Sequence, residues 1–219
     1  MIAANLLSHE FVPLRTSDTG QEALSIMGDF YVKHLPIVNN EQMLGLISED
    51  DILQNDIEEA VGSYTLSLTS PTVNERDHLY DVLRVLSEYN LTVVPVIDSD
   101  NNYLGLITQG DLLRFFAQIG SFTEPGSIIV FEMSKQDYSL SEIARIVEGE
   151  NAAILSSFIT SPLDTTQIDV TIKINRQDLQ RIIATFERFD YTIKASFQEM
   201  EYFEGLKDRF DSLMAYLNV

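Results

Sequence analysis

The sequence predicts an α+β protein whose first half is duplicated and whose second half has a different order of elements. Two segments, 35–53 and 94–113, repeat one order of proline, glycine, hydroxyl and acidic residues with a period of about 60 residues. The repeat ends near residue 122. Beyond it, residues 168–175 alternate strictly between apolar and polar, which predicts a half-buried strand. The length of 219 residues allows one large domain or two small ones.

Each copy of the repeat predicts the order helix, strand, strand, helix. In the first copy a helix precedes short apolar strands at 35–38 and 44–47, which flank a polar turn. In the second copy the strands are 93–97 and 104–107. The first helix of each copy has apolar residues at helical spacing, namely Ala23, Leu24 and Met27, and then Leu79, Val82, Leu83 and Leu86.

The second half predicts the order βαββαβ, the ferredoxin-like split βαβ, after a linker at 123–126. The predicted elements are strand 127–134, helix 140–148, strands 153–160 and 168–175, helix 178–189 and strand 191–198. A last helix is predicted from a heptad-like stripe formed by Phe203, Leu206, Phe210, Leu213 and Leu217. We expect this stripe to pack against the sheet or against a second copy of the chain.

The composition excludes several classes of function. With 34 acidic against 14 basic residues, the net charge of −20 repels nucleic-acid phosphates and anionic membranes. The absence of cysteine excludes disulfides, thiol nucleophiles and Cys-ligated metals. No apolar run approaches the roughly 18 residues of a membrane span, and the first residues do not resemble a signal peptide. We therefore expect a cytoplasmic protein with neither nucleic acid nor membrane as a partner.

A chemical motif occurs once in each copy: Gly-Leu-Ile-Ser-x-x-Asp at 45–51 and Gly-Leu-Ile-Thr-x-x-Asp at 105–111. The hydroxyl residue can cap the following helix, and the free N–H groups at a helix start attract anions. The acid three residues later can accept two hydrogen bonds, as a ribose diol offers. The alternative is a capping box without a ligand. The duplication, with Pro36 and Pro95 also in register, favours a binding motif.

These motifs and the proline-containing strands before them resemble a tandem pair of CBS domains, a Bateman module, covering residues 1–122. The repeats would be about 1–58 and 62–122. The resemblance implies clefts between the repeats that bind AMP, ADP, ATP or S-adenosylmethionine. It also implies that Asp51 and Asp111 hold ribose hydroxyls and that the hydroxyls of two further residues, Ser48 and Thr108, contact phosphate.

The same resemblance places the adenine base against the two proline strands. The residues expected to contact it are Pro36 and Ile37 in one copy and Pro95 and Val96 in the other. Strand-like segments near 12–14 and 69–72 would close the pocket. A homodimer is the assembly that the resemblance implies.

Residues 126–219 resemble an ACT-like domain with a C-terminal helix, on the element order and strand pattern of 127–198. The turn at 134–138 contains no glycine, unlike that of ACT domains that bind amino acids. A CBS pair followed by an ACT-like domain is similar to regulatory proteins of the acetoin-utilisation type.

The charge distribution predicts that the two clefts differ. Residues 1–122 carry 18 acidic and 5 basic residues, so a phosphorylated ligand needs local cations or Mg²⁺. Lys33 and His34 precede the first proline strand, and Arg114 follows the second acidic motif residue by one helical turn. Their counterparts in the other copy are uncharged. We expect phosphates to reach toward these three residues, or these residues to be ordinary solvated side chains.

Two interpretations of function remain, and a third is disfavoured. The first is a regulatory module that senses an adenosyl ligand, and the second is a structural dimerisation protein with vestigial sites. An enzyme needs a nucleophile–base pair, a metal triad or paired carboxylates in a pocket, and the sequence offers none. The three histidines, His9, His34 and His78, lack metal-ligand spacing. The sequence therefore predicts no catalytic residue, no metal site and no required cofactor.

Overall fold

The computed structural model describes residues 1–8, 11–67, 70–118, 120–161 and 166–198, together with residues 213, 214 and 216. Within them the chain is a mixed α+β protein, as predicted. It divides into two compact units, Met1–Ala117 and Gln118–Val219. Among the described residues, no helix combines the length and the apolar composition needed to cross a bilayer.

The first unit contains the duplicated order of elements. The first copy consists of α1 (Gly20–Phe30), β1 (His34–Asn39), β2 (Gln42–Ser48) and α2 (Glu49–Leu53). The second copy consists of β3 (Val73–Asn74), α3 (Leu79–Glu88), β4 (Val93–Ile97), β5 (Tyr103–Thr108) and α4 (Gln109–Gln118).

Local capping explains where α1 begins. The Thr19 hydroxyl accepts the backbone N–H of Glu22 at 3.2 Å, and the Glu22 carboxylate accepts the backbone N–H of Thr19 at 2.8 Å. This reciprocal pair is a capping box. The helix then buries Ala23 and Met27 on one face, as the apolar spacing predicts.

The two copies share one hairpin register. In each copy an antiparallel hairpin pairs a core strand residue with a glycine, Ile37 with Gly45 and Val96 with Gly105, and a register shift follows directly. The segment that pairs in parallel with the first strand of each hairpin differs in length between the two copies. It is the two-residue strand β3 in the second copy, whereas in the described part of the first copy it is a single bridge between Leu14 and Ile37.

The segments predicted to close the base pockets are shorter than expected. Of residues 12–14, only Leu14 makes a strand bridge. In the second copy the strand lies at Val73–Asn74, after the predicted 69–72, and Thr69 lies outside the described residues.

The second unit follows α5 (Gly120–Thr123) with one four-stranded sheet and two helices. Its elements are β6 (Ser127–Ser134), α6 (Leu140–Gly149), β7 (Ile154–Thr160), β8 (Gln167–Ile174), α7 (Gln180–Arg188) and β9 (Thr192–Phe197). The strand order is β7-β8-β6-β9, and all neighbours are antiparallel.

One face of this sheet forms the core of the second unit. The alternate residues of β8 are buried, as predicted: Ile168, Val170, Ile172 and Ile174. Three aromatic rings pack beside them, with the Phe131 and Phe186 centroids 4.6 Å apart and Tyr191 at 5.6 and 5.3 Å from these two rings.

The predicted C-terminal stripe falls almost entirely outside the described residues. Of its five members only Leu213 is described; it is helical, and its side chain is 53% exposed.

Candidate functional site

The first acidic motif forms a capping box with both of its reciprocal hydrogen bonds at the junction of β2 and α2. The Asp51 Oδ2 atom accepts the backbone N–H of Ser48 at 3.0 Å and its hydroxyl at 2.7 Å, while the Ser48 hydroxyl accepts the Asp51 N–H at 3.1 Å. The other carboxylate oxygen accepts the backbone N–H of Ser67 at 3.1 Å. Both oxygens of Asp51 therefore have donors from the chain itself, and the residue is only 4% exposed.

These contacts also set the protonation of Asp51. Burial pushes the pKa of the carboxyl upward, but the hydrogen bonds from Ser48 and Ser67 outweigh burial and hold the pKa below its ordinary value. The charged form is therefore stabilised in the folded protein.

The second motif repeats the capping box but has a different outer partner. The Asp111 Oδ2 atom accepts the backbone N–H and the hydroxyl of Thr108, at 3.0 and 2.7 Å. Its Oδ1 atom accepts a hydrogen bond from the Arg114 guanidinium at 2.6 Å, where Asp51 accepts a backbone N–H. The Asp111 side chain is 15% exposed. The two motifs thus have the same backbone geometry and different electrostatics.

A contact between the copies joins the residues at the starts of β1 and β4. The backbone N–H of Lys33 donates to the Thr92 hydroxyl at 2.8 Å, and the backbone N–H of Thr92 donates to the His34 Nδ1 atom at 3.2 Å. Because Nδ1 is an acceptor, the neutral His34 ring carries its proton on Nε2. Burial lowers the pKa of His34, and the carboxylates of Asp51 and Asp50 oppose that shift without reversing it.

Two clefts lie on either side of this contact. The first cleft has a volume of about 590 Å³, and the second cleft about 260 Å³. Residues lining the first cleft are Lys33, His34, Ser48, Glu49, Asp50, Gln54, Ser67, Tyr89, Asn90, Thr92 and Gln109. Residues lining the second cleft are Phe11, Phe30, Tyr31, Val32, Thr92, Thr108, Gln109, Gly110 and Arg114.

The sequence-predicted polar residues divide between these clefts. Lys33, His34 and Ser48 line the first cleft, and Thr108 and Arg114 line the second. The Lys33 ammonium lies 3.3 Å from the Glu49 carboxylate and remains 70% exposed. Each predicted cation therefore has a partner within the chain, a carboxylate for Lys33 and Arg114 and a threonine for His34.

The residues predicted to contact a base lie in the core rather than at the cleft surfaces. Pro36, Ile37, Pro95 and Val96 are all buried. The strand surface beside them is covered by the chain itself. A side chain on Gly45 would collide with the Leu66 side chain, and one on Gly105, at φ 151°, would come within 3.1 Å of Leu7.

Sequence reasoning missed several residues of the clefts. It did not identify the aromatic wall of the second cleft, where the Phe11 and Phe30 rings lie 4.4 Å apart beside Tyr31. A signal was present at Tyr31: it occupies the repeat position of Asn90, and both residues adopt positive φ at a helix end. A tyrosine where asparagine is favoured indicates a reason other than backbone preference.

A metal centre has no support in the described part of the chain. No group of three or more histidine or acidic residues there is arranged to hold a metal ion.

The duplicated hairpins, caps and clefts agree with the sequence comparison. A profile of the CBS domain matches residues 3–58 and 62–118, more than half of the chain. The chain belongs to the CBS domain family. The first unit is thus a tandem CBS pair, as the resemblance of the two motifs implies.

Relatives of the CBS pair come from diverse organisms. An uncharacterized protein of Methanocaldococcus jannaschii is 27% identical over 108 residues, which are 48% of this chain and 36% of that protein. The chloroplastic CBS domain-containing protein CBSX2 of Arabidopsis thaliana is 25% identical over 144 residues, 51% of this chain and 60% of that protein. The chain spans less than two thirds of the length of either relative.

Two solved structures align with about half of the chain. A crystal structure of CBSX2 in complex with AMP aligns with a TM-score of 0.47 and 23% identity, covering 54% of this chain and 97% of that one. A CBS domain pair/ACT domain protein of Thermotoga maritima aligns with a TM-score of 0.48 and 21% identity, covering 54% of this chain and 98% of that one.

Proposed function

We propose that this chain is a non-catalytic regulatory module whose CBS pair binds an adenosyl ligand, either AMP, ADP, ATP or S-adenosylmethionine. The supporting observation is the duplicated site: a hydroxyl and a carboxylate at each strand–helix junction, beside two clefts related by the repeat. A polyphosphate ligand would bring Mg²⁺ with it, because the chain supplies few cations here.

Regulation requires that the ligand bind one arrangement of the chain better than another. The clefts lie between the two copies, so a bound ligand contacts elements of both copies. We propose that binding changes how the copies pack, and that a homodimer in the cytoplasm transmits this change.

The second unit is proposed to be an ACT-like domain. Its element order is βαββαβ, and its central strands β8 and β6 separate the edge strands β7 and β9. That arrangement matches the split βαβ topology. The turn at 134–138, which lacks glycine, argues against amino-acid binding there.

The alternative is a structural dimerisation protein with vestigial sites. The observation that favours this alternative is that both carboxylate oxygens of Asp51 already accept hydrogen bonds, from Ser48 and Ser67. A ligand would have to compete with these donors.

Ligand-dependent melting separates the two functions. A ligand at 100 times its dissociation constant adds about 2.7 kcal/mol of stability, which raises the melting temperature by several degrees for a chain of this size. We expect at least one of AMP, ADP, ATP and S-adenosylmethionine to produce that shift in the full chain. No shift with any of them would favour the structural alternative.

Substitution of the two acidic motif residues tests the site itself. We expect Asp111→Ala to reduce the ligand-induced shift strongly, because the Asp111 carboxylate is partly exposed beside the second cleft. Asp51→Ala should reduce the shift less, because the Asp51 carboxylate is buried and already accepts a hydrogen bond from the backbone N–H of Ser67. Asp100→Ala, which removes the same charge from an exposed turn, is the control and should leave the shift unchanged. Equal reductions for Asp51→Ala and Asp111→Ala would contradict the inequivalence of the sites.

A further inference from the structure

A cavity of about 370 Å³ lies in the second unit, beside the end of β8 and the start of α7. The residues that line it are Glu150, Asn151, Arg176, Asp178, Arg181 and Ile182. The turn at 134–138 lies at the other end of β8, because Ser134 pairs with Gln167, the first residue of that strand. The cavity is therefore separate from this turn, and none of its described lining residues belongs to the CBS pair.

The guanidinium of Arg176 is held in one orientation by a backbone carbonyl. Its Nε and Nη2 atoms both donate to the carbonyl oxygen of Asn151, at 3.2 and 2.5 Å. The turn around Asn151 is tied to the end of β8, because the backbone N–H of Ala153 donates to the Asn175 Oδ1 atom at 2.7 Å. A guanidinium has five N–H donors, so the Nη1 atom of Arg176 remains able to donate to a ligand.

Arg181 brings a second guanidinium to the same cavity. It lies in the first turn of α7, next to the buried Ile182, so that its backbone is fixed by the packing of the helix. Within the described residues neither Arg176 nor Arg181 forms an ion pair, and the Arg181 side chain makes no hydrogen bond. Two such arginines lining one cavity are unusual in a chain with 34 acidic and 14 basic residues.

The two carboxylates of the cavity already accept hydrogen bonds from the chain. The Glu150 Oε1 atom accepts the hydroxyl of Thr185 at 2.9 Å, and the Asp178 Oδ1 atom accepts the backbone N–H of Gln180 at 3.0 Å. A carboxylate can accept further hydrogen bonds at its second oxygen. The cavity therefore combines guanidinium donors for an anionic group with carboxylate acceptors for hydroxyl groups.

We propose that this cavity binds a small anionic ligand that also carries hydroxyl groups, either a phosphate monoester or a hydroxycarboxylic acid. Its anionic group pairs with Arg176 and Arg181, because planar guanidinium forks match the oxygens of phosphate and carboxylate. Its hydroxyl groups donate to Glu150 and Asp178. The volume of about 370 Å³ is at the lower end of the range of small-molecule pockets. This inference goes beyond the proposed function, because it concerns the second unit alone.

Calorimetric titration of the full chain with glycerol 3-phosphate and with malate tests the inference. Arg181→Gln should weaken the binding of the tighter compound by about tenfold or more, the loss expected for a charged hydrogen bond. Arg176→Gln should have a similar effect. Arg145→Gln is the matched control, because Arg145 is 65% exposed in the same unit but pairs with Glu142 and does not line the cavity. It should leave the affinity unchanged.

Two further measurements locate the ligand and its hydroxyl groups. Hydrogen exchange followed by mass spectrometry should show increased protection in residues 150–153 and 176–182 when the tighter compound is bound, and no change in residues 134–138. Inorganic phosphate should bind more weakly than glycerol 3-phosphate, because it lacks the alcohol hydroxyls that reach the carboxylates.

Three results would overturn the inference: binding of neither compound, full affinity in Arg181→Gln, or an equal loss in Arg145→Gln. The last would show only the general field of the protein. Equal affinity for inorganic phosphate and glycerol 3-phosphate would remove the two carboxylates from the site and contradict the ligand class. The nucleotide-induced melting shift should be the same in Arg181→Gln and in the wild-type chain, so the proposed function stands or fails separately.

Discussion

Replacing Phe131 with alanine is expected to destabilise the second unit by about 3–5 kcal/mol, the cost of deleting a buried aromatic ring. Phe131 is fully buried on β6 and contacts the rings of Phe186 and Tyr191. Its removal leaves a cavity between the sheet and α7 that these rings cannot fill by rotation, because interiors are close-packed.

Hydrogen exchange followed by mass spectrometry measures this loss in the full chain. Protection in β6, β8 and α7 should fall by at least about a hundredfold, the factor that corresponds to about 3 kcal/mol. Phe158→Ala is the matched control: Phe158 lies on the edge strand β7 and is 50% exposed, so it should cost much less. A loss as large for Phe158→Ala as for Phe131→Ala would show that the central packing does not carry the stability.

Asp51→Asn is expected to destabilise the first unit by about 2–3 kcal/mol at neutral pH, because charged hydrogen bonds are lost in a buried site. The amide introduced by this substitution would place an N–H₂ group against one of the donors that now reach the carboxylate, from Ser48 or Ser67. Asp50→Asn is the control, since Asp50 is exposed one position earlier on the same helix.

The effect of Asp51→Asn should depend on pH in one direction. Because the folded-state pKa of Asp51 is held below its ordinary value, its contribution is fully present above the unfolded-state pKa of about 3.9. It is lost as the pH falls through the lower folded-state value. Urea denaturation at pH 7 and at successively lower pH should show the difference from the wild-type chain shrinking with acid. A constant difference, or equal costs for Asp50→Asn and Asp51→Asn, would refute this account.

Much of the fold was predictable because its signals are local. The strict alternation at residues 168–175 marks one buried face of β8, and the i, i+3, i+4 spacing marks the buried face of α3. The repeat of about 60 residues predicts the same pair of successive strands in both copies. The structure shows in addition that the two pairs are antiparallel and share one register, with Ile37 opposite Gly45 and Val96 opposite Gly105.

The candidate site was only partly predictable. The hydroxyl–acid spacing predicts both capping boxes, because the two groups lie three residues apart on one helical turn. The partner of the remaining carboxylate oxygen was not predictable at Asp51, since Ser67 reaches it from 16 residues away. The burial of Ile37 and Val96 was likewise not evident, since it depends on segments that return across the hairpins.

The sequence by itself determined the duplication, the element order and the chemical groups available at each strand–helix junction, because periodicity and capping act within one or two turns. Only the tertiary structure decided how these groups are used. It joined His34 to Thr92 across 58 residues. It also supplied both carboxylate oxygens of Asp51 with donors from the chain, and it left the Arg114 side chain paired with Asp111 and exposed beside aromatic residues. These contacts depend on which distant segments pack together, and a local sequence pattern does not determine that packing.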